Sequence, residues 1–263
     1  MTSIVLCGVG GRMGQTVVRL ARELDDVDVF AGIDRHVASG EPARVLGVER
    51  IVGMDDAAEV IARADVVLDF SSPEGVRTLL NRHADALAGR ALVIGTTGLE
   101  PADEEALDAL ARHAAVLVAA NFSVGINLLL RFAEQAARVL GEAYDVEIVE
   151  IHHGGKVDAP SGTALSLGRA VAGGRGVELE RIRRDGRSVD TGARVHGEIG
   201  FHALRGGSVA GEHRVHFLGA RERIELAHQA EDRALFADGA LKAARWMTGR
   251  SAGRYTMNNV LGL

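Results

Sequence analysis

The chain begins, after two residues, with the run Ser3-Ile4-Val5-Leu6-Cys7-Gly8-Val9-Gly10-Gly11-Arg12-Met13-Gly14. Its first five residues are largely apolar and predict a buried strand, and a helical pattern, Thr16–Ala21, follows the glycines. A strand, a glycine turn and a helix in this order are typical of dinucleotide-binding folds, because glycines let backbone N–H groups approach a pyrophosphate at the helix N-terminus. Met13 stands where the G-x-G-x-x-G pattern has its third glycine, and Gly14 comes one residue later. A purely structural turn therefore remains an alternative.

The next predicted strand, Val27–Ile33, ends in Asp34 and Arg35. Dinucleotide folds place the residue that contacts the adenosine ribose at about this distance beyond the glycines. The carboxylate of Asp34 would accept hydrogen bonds from the ribose hydroxyls of NADH, and Arg35 would stack on adenine or pair with the 2′-phosphate of NADPH. An ordinary solvated charge pair at a strand end is the alternative.

Strand and helix patterns alternate onward to about residue 119, beyond a loop predicted at residues 39–42. This alternation predicts a parallel sheet with right-handed crossovers, in which ligands lie at the carboxyl ends of the strands. Two turns of small residues fall there and would let a flat nicotinamide approach the backbone, although each is equally consistent with a plain tight turn. They are Gly95-Thr96-Thr97-Gly98 and Ala119-Ala120-Asn121-Phe122.

The pattern changes after residue 122. A long amphipathic helix to Gly141 precedes an alternating stretch at 144–151, and strand-like segments follow at 197–204 and 209–226. We therefore predict a second, α+β domain with a mixed, largely antiparallel sheet. A helical pattern at 232–247 is expected to pack back on the first domain and to be followed by a short tail.

Composition narrows the class of protein. A length of 263 residues favours two domains, and the net charge of −6 argues against a nucleic-acid-binding surface. The lone cysteine, Cys7, excludes an internal disulfide and a thiolate-only metal site. The adjacent His152 and His153 would point to opposite faces of a continuing strand, so we expect no bound metal. Because the apolar runs are too short to span a bilayer, we expect a soluble cytoplasmic protein that binds no membrane.

The chemistry-bearing stretch is Glu150-Ile151-His152-His153-Gly154-Gly155-Lys156-Val157-Asp158-Ala159-Pro160-Ser161-Gly162-Thr163-Ala164. It lies between a predicted strand end and a predicted helix N-terminus, where free backbone N–H groups favour an anion. Ser161 is more natural as the residue that starts this helix than as a nucleophile. Lys156, the Gly162 and Thr163 amides, the Thr163 hydroxyl and one histidine could hold carboxylates, leaving the other imidazole as a general acid. A solvated charged loop is the alternative.

These motifs together resemble those of the dihydrodipicolinate reductase family, whose members are now called 4-hydroxy-tetrahydrodipicolinate reductases. The motifs occur in order along nearly the whole chain, and the histidine–lysine run is highly specific. The resemblance is carried by Gly8 to Gly14, Asp69-Phe70, Gly95 to Gly98, Ala120 to Gly125, Glu150 to Ala164, and Gly211-Glu212-His213.

The resemblance implies the reduction of a small cyclic dicarboxylate to tetrahydrodipicolinate with NADH or NADPH, in diaminopimelate and lysine biosynthesis. It implies a Rossmann-like dinucleotide domain at residues 1–122, completed by the C-terminal segment 231–263. A substrate-binding and oligomerisation domain would occupy residues 123–230, and its sheets would form a homotetramer.

The resemblance also assigns roles to single residues. His152 and Lys156 would be the proton donors, and His153, Gly162 and Thr163 would bind substrate. Because a histidine titrates near neutrality, we assign the general-acid role to His152. The family often has Glu where Asp34 stands, and no role is implied for Gly211-Glu212-His213. The residues that would hold the nucleotide are Gly8, Val9, Gly10, Gly11, Arg12, Met13, Asp34, Arg35, Gly95, Thr96, Thr97, Ala119, Ala120, Asn121 and Phe122.

Two other functions stay open on the sequence. Another Rossmann dehydrogenase acting on amino acids, or a non-catalytic dinucleotide sensor, would keep the glycine turn. Neither would need His152, Lys156 and the helix start at Gly162-Thr163 together.

Overall fold

The computed structural model describes residues 1–35 and 47–263, so the loop predicted at 39–42 lies outside the described residues. These residues form two compact units. The first consists of Met1–Ser123 and Ala234–Leu263, and the second of Val124–Arg233. None of the helices in the described ranges has both the length and the apolar character that a membrane span requires.

The strands of the described residues, in chain order, are β1 (Thr2–Cys7), β2 (Val27–Ile33), β3 (Arg50–Val52), β4 (Val66–Asp69), β5 (Ala91–Ile94), β6 (Ala115–Val118), β7 (Asp145–His152), β8 (Arg183–Asp185), β9 (Ile199–Arg205), β10 (Glu212–Leu218), β11 (Arg223–Gln229) and β12 (Gly253–Tyr255). The α-helices are α1 (Arg12–Ala21), α2 (Ala58–Arg63), α3 (Pro73–Leu87), α4 (Pro101–Leu110), α5 (Val124–Leu140), α6 (Gly162–Arg175), α7 (Leu179–Ile182), α8 (Ala234–Met247) and α9 (Met257–Leu261).

The first unit is built on a seven-stranded sheet in the order β12-β6-β5-β4-β1-β2-β3, and all its strand pairs are parallel. The predicted Rossmann-like parallel sheet is thereby confirmed. Its strands are short apolar runs because helices cover both faces of the sheet. Alternate residues of β1 enter different cores, with Ile4 and Leu6 in one and Val5 and Cys7 in the other. The strand order reverses beside β1, where parallel sheets bind their ligands.

The carboxyl-terminal segment completes this unit. Helix α8 buries Ala240, Leu241 and Ala244 in the first of the two cores. Strand β12 then pairs in parallel with β6, and α9 ends the chain. The short tail expected after α8 therefore contains a strand and a helix that the sequence analysis missed.

The second unit is built on a five-stranded sheet in the order β11-β10-β7-β9-β8. Its pairs β11–β10 and β10–β7 are antiparallel, whereas β7–β9 and β9–β8 are parallel. The predicted mixed sheet is confirmed, with antiparallel pairs making up half of it. Helices α5 and α6 pack with the sheet around Phe201 and Phe217, which are buried.

Two parts of this unit differ from the prediction. The strand-like segment 209–226 is a hairpin of β10 and β11, and Gly219 N–H donates to Glu222 O (2.9 Å) in its turn. The polar and apolar alternation of the two strands hid that turn. The Gly- and Arg-rich stretch 173–192 contains α7 and β8, which are too short to show a period.

Candidate active site

The core-facing side of β7 is polar at one end. Burial alternates along this strand, so that Val146, Ile148, Glu150 and His152 face the interior. The first two pack in the apolar core, whereas the last two bring a carboxylate and an imidazole into the same row. The side chain of Glu150 is only 1% exposed. A buried ionisable group of this kind must be paired and hydrogen-bonded.

Glu150 is held from three segments of the chain. Arg205, at the end of β9, donates from Nη1 to Oε2 and from Nη2 to Oε1, both at 2.8 Å. Ser161 N–H donates to Oε1 at 3.0 Å, and His152 Nδ1 lies 2.5 Å from Oε2. Burial raises the pKa of Glu150, but the hydrogen bonds from Arg205, His152 and Ser161 outweigh burial and hold its pKa below the usual range. The group is therefore a carboxylate at neutral pH.

His152 is oriented by this carboxylate. An ionised carboxylate only accepts hydrogen bonds, so Nδ1 of His152 is the donor and Nε2 is the nitrogen that remains for other chemistry. The backbone of Gly211 lies beside Nε2, since a Cβ atom on this residue would be 3.0 Å from it. Burial lowers the pKa of His152; Glu150 raises it, and the charges of Lys156 and Arg205 lower it further. The net pKa lies below the ordinary histidine value.

The loop after β7 carries the predicted substrate-binding groups. His153 N–H donates to Val209 O (2.9 Å), and Lys156 N–H donates to His153 O (3.1 Å). The ammonium of Lys156 contacts both carboxylate oxygens of Asp158, at 2.8 and 2.9 Å. This hydrogen bond lowers the pKa of Asp158. Lys156 is thus already next to a carboxylate, the kind of group that the sequence analysis assigned to it.

The start of α6 closes this cluster. Ser161 is the helix N-cap, as predicted, and its Oγ accepts from Ala164 N–H at 3.1 Å. Gly162 and Thr163 are the first helical residues, at the end of a helix that favours an anion. Because Ser161 N–H also contacts Glu150, the helix start is fixed to the carboxylate that orients His152.

His213 is a further member of the cluster. Strand β10 places it opposite Glu150, and its Nε2 lies 3.1 Å from Ser161 Oγ. Its ring meets the ring of His152 edge to face, with centroids 5.2 Å apart. The side chain is 4% exposed, and burial together with the charge of His152 lowers the pKa of His213 to about 4. His213 is therefore a neutral imidazole near pH 7.

No role was predicted from the sequence for Glu150, Arg205 or His213. For Glu150 the signal was available, because it stands where the alternation of β7 predicts a buried residue. Strand pairing brings Arg205 and His213 to Glu150, from which they are 55 and 63 residues away in the sequence. Their positions follow from the register of the sheet, so no local sequence pattern indicates them.

The glycine turn of the first unit has the close contacts that a dinucleotide site needs. Gly8 has φ +78°, and a Cβ atom on it would lie 2.6 Å from Phe70 O. A Cβ atom on Gly14 would lie 2.3 Å from Gly8 O, so Gly14 performs the helix-packing role of the third glycine one position late. Gly11 is the N-cap of α1 and offers no capping side chain. The glycines before α1 thus have no side chains that would keep a phosphate from the backbone, which fits a bound pyrophosphate.

The side chains of this turn differ in placement. Val9 is fully buried, and a Cβ atom on Gly32 would lie 2.4 Å from its Cγ1, so Val9 can meet a nucleotide only through its backbone. Met13 packs against the same core, and Arg12 is exposed at the start of α1. Asp34 Oδ2 accepts from Gly10 N–H at 2.8 Å, which places the predicted ribose acceptor at the glycine turn.

The two small-residue turns lie at the carboxyl ends of β5 and β6. A Cβ atom on Gly95 would lie 2.1 Å from the ring of Phe70, and that ring packs edge to face on Phe122 with centroids 5.8 Å apart. Thr96 Oγ donates to the buried Asp69 at 2.5 Å. Burial raises the pKa of Asp69, and the hydrogen bond from Thr96 opposes this. Of the remaining residues in these turns, Thr97 and Ala120 are exposed, and Ala119 and Asn121 are half-buried.

The exposed Arg35 lies next to the ribose position. Its guanidinium forms an ion pair with Glu74 at 3.4 Å. The structure thus gathers the nucleotide-motif residues at one edge of the first sheet, and His152, His153, Lys156, Gly162 and Thr163 around the end of β7 in the second unit.

Comparisons with known proteins indicate the same family along nearly the whole chain. Residues 2–122 match the family model described as dihydrodipicolinate reductase, N-terminus, and residues 125–261 match the one described as dihydrodipicolinate reductase, C-terminus. A 4-hydroxy-tetrahydrodipicolinate reductase from Methylocella silvestris is 47% identical over 265 residues, covering 99% of this chain and 97% of that protein. One from Alkalilimnicola ehrlichii is 45% identical over 268 residues, covering 100% of this chain and 99% of that protein.

A solved structure shows the same fold. It is the dipicolinate-bound dihydrodipicolinate reductase from Paenisporosarcina sp. TG-14, with a TM-score of 0.73 and 22% identity. The similarity covers 97% of each chain.

Proposed function

The chain belongs to the dihydrodipicolinate reductase family, and we propose that the cluster around Glu150 and His152 supplies the proton and holds the substrate in the reaction of that family. The reaction is the NAD(P)H-dependent reduction of 4-hydroxy-tetrahydrodipicolinate to tetrahydrodipicolinate, in diaminopimelate and lysine biosynthesis. The observation that carries the proposal is the geometry of His152. Its Nδ1 is held by a buried carboxylate while Lys156 and the start of α6 lie in the same cluster.

The first unit is the nucleotide-binding domain in this proposal. When bound, NAD(P)H supplies the hydride. The glycine turn takes the pyrophosphate at the start of α1, because its glycines have no side chains that would block the approach of a phosphate. Asp34 and Arg35 hold the adenosine end, and the turns Gly95–Thr97 and Ala119–Phe122 hold the nicotinamide end. Asp34 offers acceptors to free ribose hydroxyls and Arg35 can pair with a 2′-phosphate, so both NADH and NADPH are used.

The second unit is the substrate domain. Lys156, His153 and the N–H groups of Gly162 and Thr163 bind the carboxylates of the dianionic substrate, because the ammonium and the helix start both favour negative charge. After the 4-hydroxyl group of the substrate has left as water, hydride adds to the resulting conjugated imine, and His152 donates a proton from Nε2 to the electron density that this addition leaves. Its low pKa without substrate fits this order of events, since a bound dianion raises the pKa of a neighbouring imidazole. His152 thus becomes protonated when substrate is present.

The experiment is an NAD(P)H-oxidation assay with freshly generated 4-hydroxy-tetrahydrodipicolinate. We expect H152Q to lower kcat by about a hundredfold or more with a smaller change in KM, the usual range for a lost general acid. K156A should damage both parameters, because it removes charge used in the ground state and in the transition state. H196Q, which changes an exposed histidine of the same unit, is the matched control.

Each alternative has its own outcome in this assay. An amino-acid dehydrogenase would reduce NAD(P)⁺ with an amino acid, and a sensor would bind NADH without turnover. A kcat of H152Q close to wild type from pH 6 to pH 9 would assign the acid to Lys156 or water. A preference for one nucleotide beyond about a thousandfold in kcat/KM would exclude dual use.

A homotetramer is part of the same proposal. Helices α5 and α6 pack on one face of the second sheet, and the alternation in β7 and β10 leaves the other face half-exposed. Light scattering at micromolar concentration tests it: a monomer would contradict assembly through this face. The cytoplasmic location stays a prediction from the sequence.

A further inference from the structure

The carboxylate of Glu150 has all of its principal acceptor positions filled. Oε2 meets His152 Nδ1 and Arg205 Nη1, and Oε1 meets Ser161 N–H and Arg205 Nη2. These donors come from β7, from the end of β9 and from the start of α6. The group therefore has a single orientation that three separate segments enforce.

We propose that Glu150 is a positioning residue for the proton transfer and that Arg205 holds it in place. This inference rests on the proposed function, because it assumes that His152 is the acid. Glu150 does not need to touch substrate. It acts through His152, by fixing which nitrogen carries the proton that is exchanged.

The chemistry follows from the acceptor-only character of a carboxylate. With Nδ1 donating to Glu150, the neutral imidazole has its lone pair on Nε2, and the proton taken up and delivered is the one on Nε2. The negative charge of Glu150 also favours the imidazolium. The other charged or titratable groups near the ring are Arg205 from β9, Lys156 from the loop and His213 from β10, and Arg205 and Lys156 oppose protonation. Among these protein groups, Glu150 is the one that favours protonation of the ring.

Arg205 also contacts the loop that follows β7 and carries Lys156. Besides its two bonds to Glu150, its Nη2 donates to Asp158 O at 2.7 Å. One guanidinium therefore connects the carboxylate behind His152 with the loop that carries Lys156. This contact places the acid and the substrate-binding ammonium relative to each other.

The competing explanation is that the ion pair of Glu150 with Arg205 only stabilises the fold. A second glutamate on strand β7 provides a control for this explanation. Glu147 lies three residues away on the opposite face of β7, contacts Arg187 (2.9 Å) and Arg194 (3.1 Å), and approaches His202 at 2.8 Å. Glu147→Gln removes the same charge from the same strand and from a similar arginine and histidine environment. It lies outside the cluster of His152.

The test compares E150Q and E147Q by the pH profile of kcat. We expect E150Q to lower kcat by about 10- to 100-fold, the usual effect of losing the partner that orients a functional histidine. The fall of kcat at alkaline pH should move to lower pH, because the imidazolium loses its counter-charge. KM and the Kd of NADH should change less than about threefold, and E147Q should keep the wild-type pH profile. An E150Q profile equal to wild type would overturn the proposal.

A second measurement needs no variant. In ¹⁵N NMR spectra of the full wild-type protein with dipicolinate as the probe, His152 should show a protonated Nδ1 at every pH. An unprotonated Nδ1 would overturn the proposal even if E150Q failed to fold. If H152Q keeps its activity, the proposed function fails; if H152Q loses activity while E150Q does not, only the role of Glu150 fails.

Discussion

Replacing Asp158 by Asn should tighten substrate binding. In the structure the Lys156 ammonium is shared between the two oxygens of Asp158, so a substrate carboxylate must displace this partner before it can bind. The side chain of Lys156 is 21% exposed and that of Asp158 is 61% exposed. A pair this open to solvent contributes about 0.4 to 1 kcal/mol after screening. Its loss should therefore lower KM about two- to fivefold.

Two measurements separate binding from chemistry. The Kd of dipicolinate, measured by calorimetry, should fall by the same two- to fivefold, and the kcat of D158N should stay within about twofold of wild type. The gain should shrink as salt is raised, because screening weakens an exposed pair. D185N is the matched control, since Asp185 forms an exposed ion pair with Arg183 on β8 in the same unit. It should leave KM unchanged.

The opposite result would refute this reasoning. If D158N raises KM and weakens dipicolinate binding while D185N does neither, Asp158 holds Lys156 in its productive orientation and does not compete with substrate. The ammonium would then need both carboxylates at once.

Three further outcomes are expected. G14A should destabilise the first unit by about 1 to 3 kcal/mol in denaturation experiments and weaken NADH binding in titrations, because its Cβ would lie 2.3 Å from a backbone oxygen. G53A is the control, since nothing lies within 4 Å of its Cβ, and it should change neither quantity. Because the pKa of His213 is about 4 when folded, the unfolded chain takes up a proton first as the pH falls, and stability should drop by roughly 3 kcal/mol between pH 6.5 and pH 4. In urea unfolding the fall for H213Q should be smaller by about this amount, whereas H196Q should show the full fall. R35A should weaken NADPH binding about tenfold and NADH binding less than twofold in fluorescence titrations, since only NADPH has a 2′-phosphate for the guanidinium to bind.

Much of the first unit was predictable because its strands are short apolar runs separated by glycine turns. The strand predicted at Val27–Ile33 has the bounds that the structure gives it. The elements that were missed, such as β8 and β12, have three residues each and lack a period. They exist because a neighbouring strand offers unpaired backbone groups, which is information that lies elsewhere in the chain.

The candidate site likewise has residues that a local pattern indicates and residues that only strand pairing brings together. His152, Lys156 and the start of α6 are close in sequence, so one stretch of the chain indicates them together. Glu150 is part of that stretch, but its role depends on Arg205, which the parallel register of β7 and β9 brings beside it from 55 residues away.

The sequence nevertheless shows where such a partner is required. Every second residue of β7 is buried. Val146 and Ile148 show which residues these are, and Glu150 and His152 are the next two in the same row. A glutamate buried at this position would be costly unless buried donors met it, so the alternation indicates that a partner such as a cation is needed. It does not say which cation, because register is set by the packing of the whole sheet. The orientation of His152 is consequently tied to the pairing of β7 with β9, which brings Arg205 to Glu150.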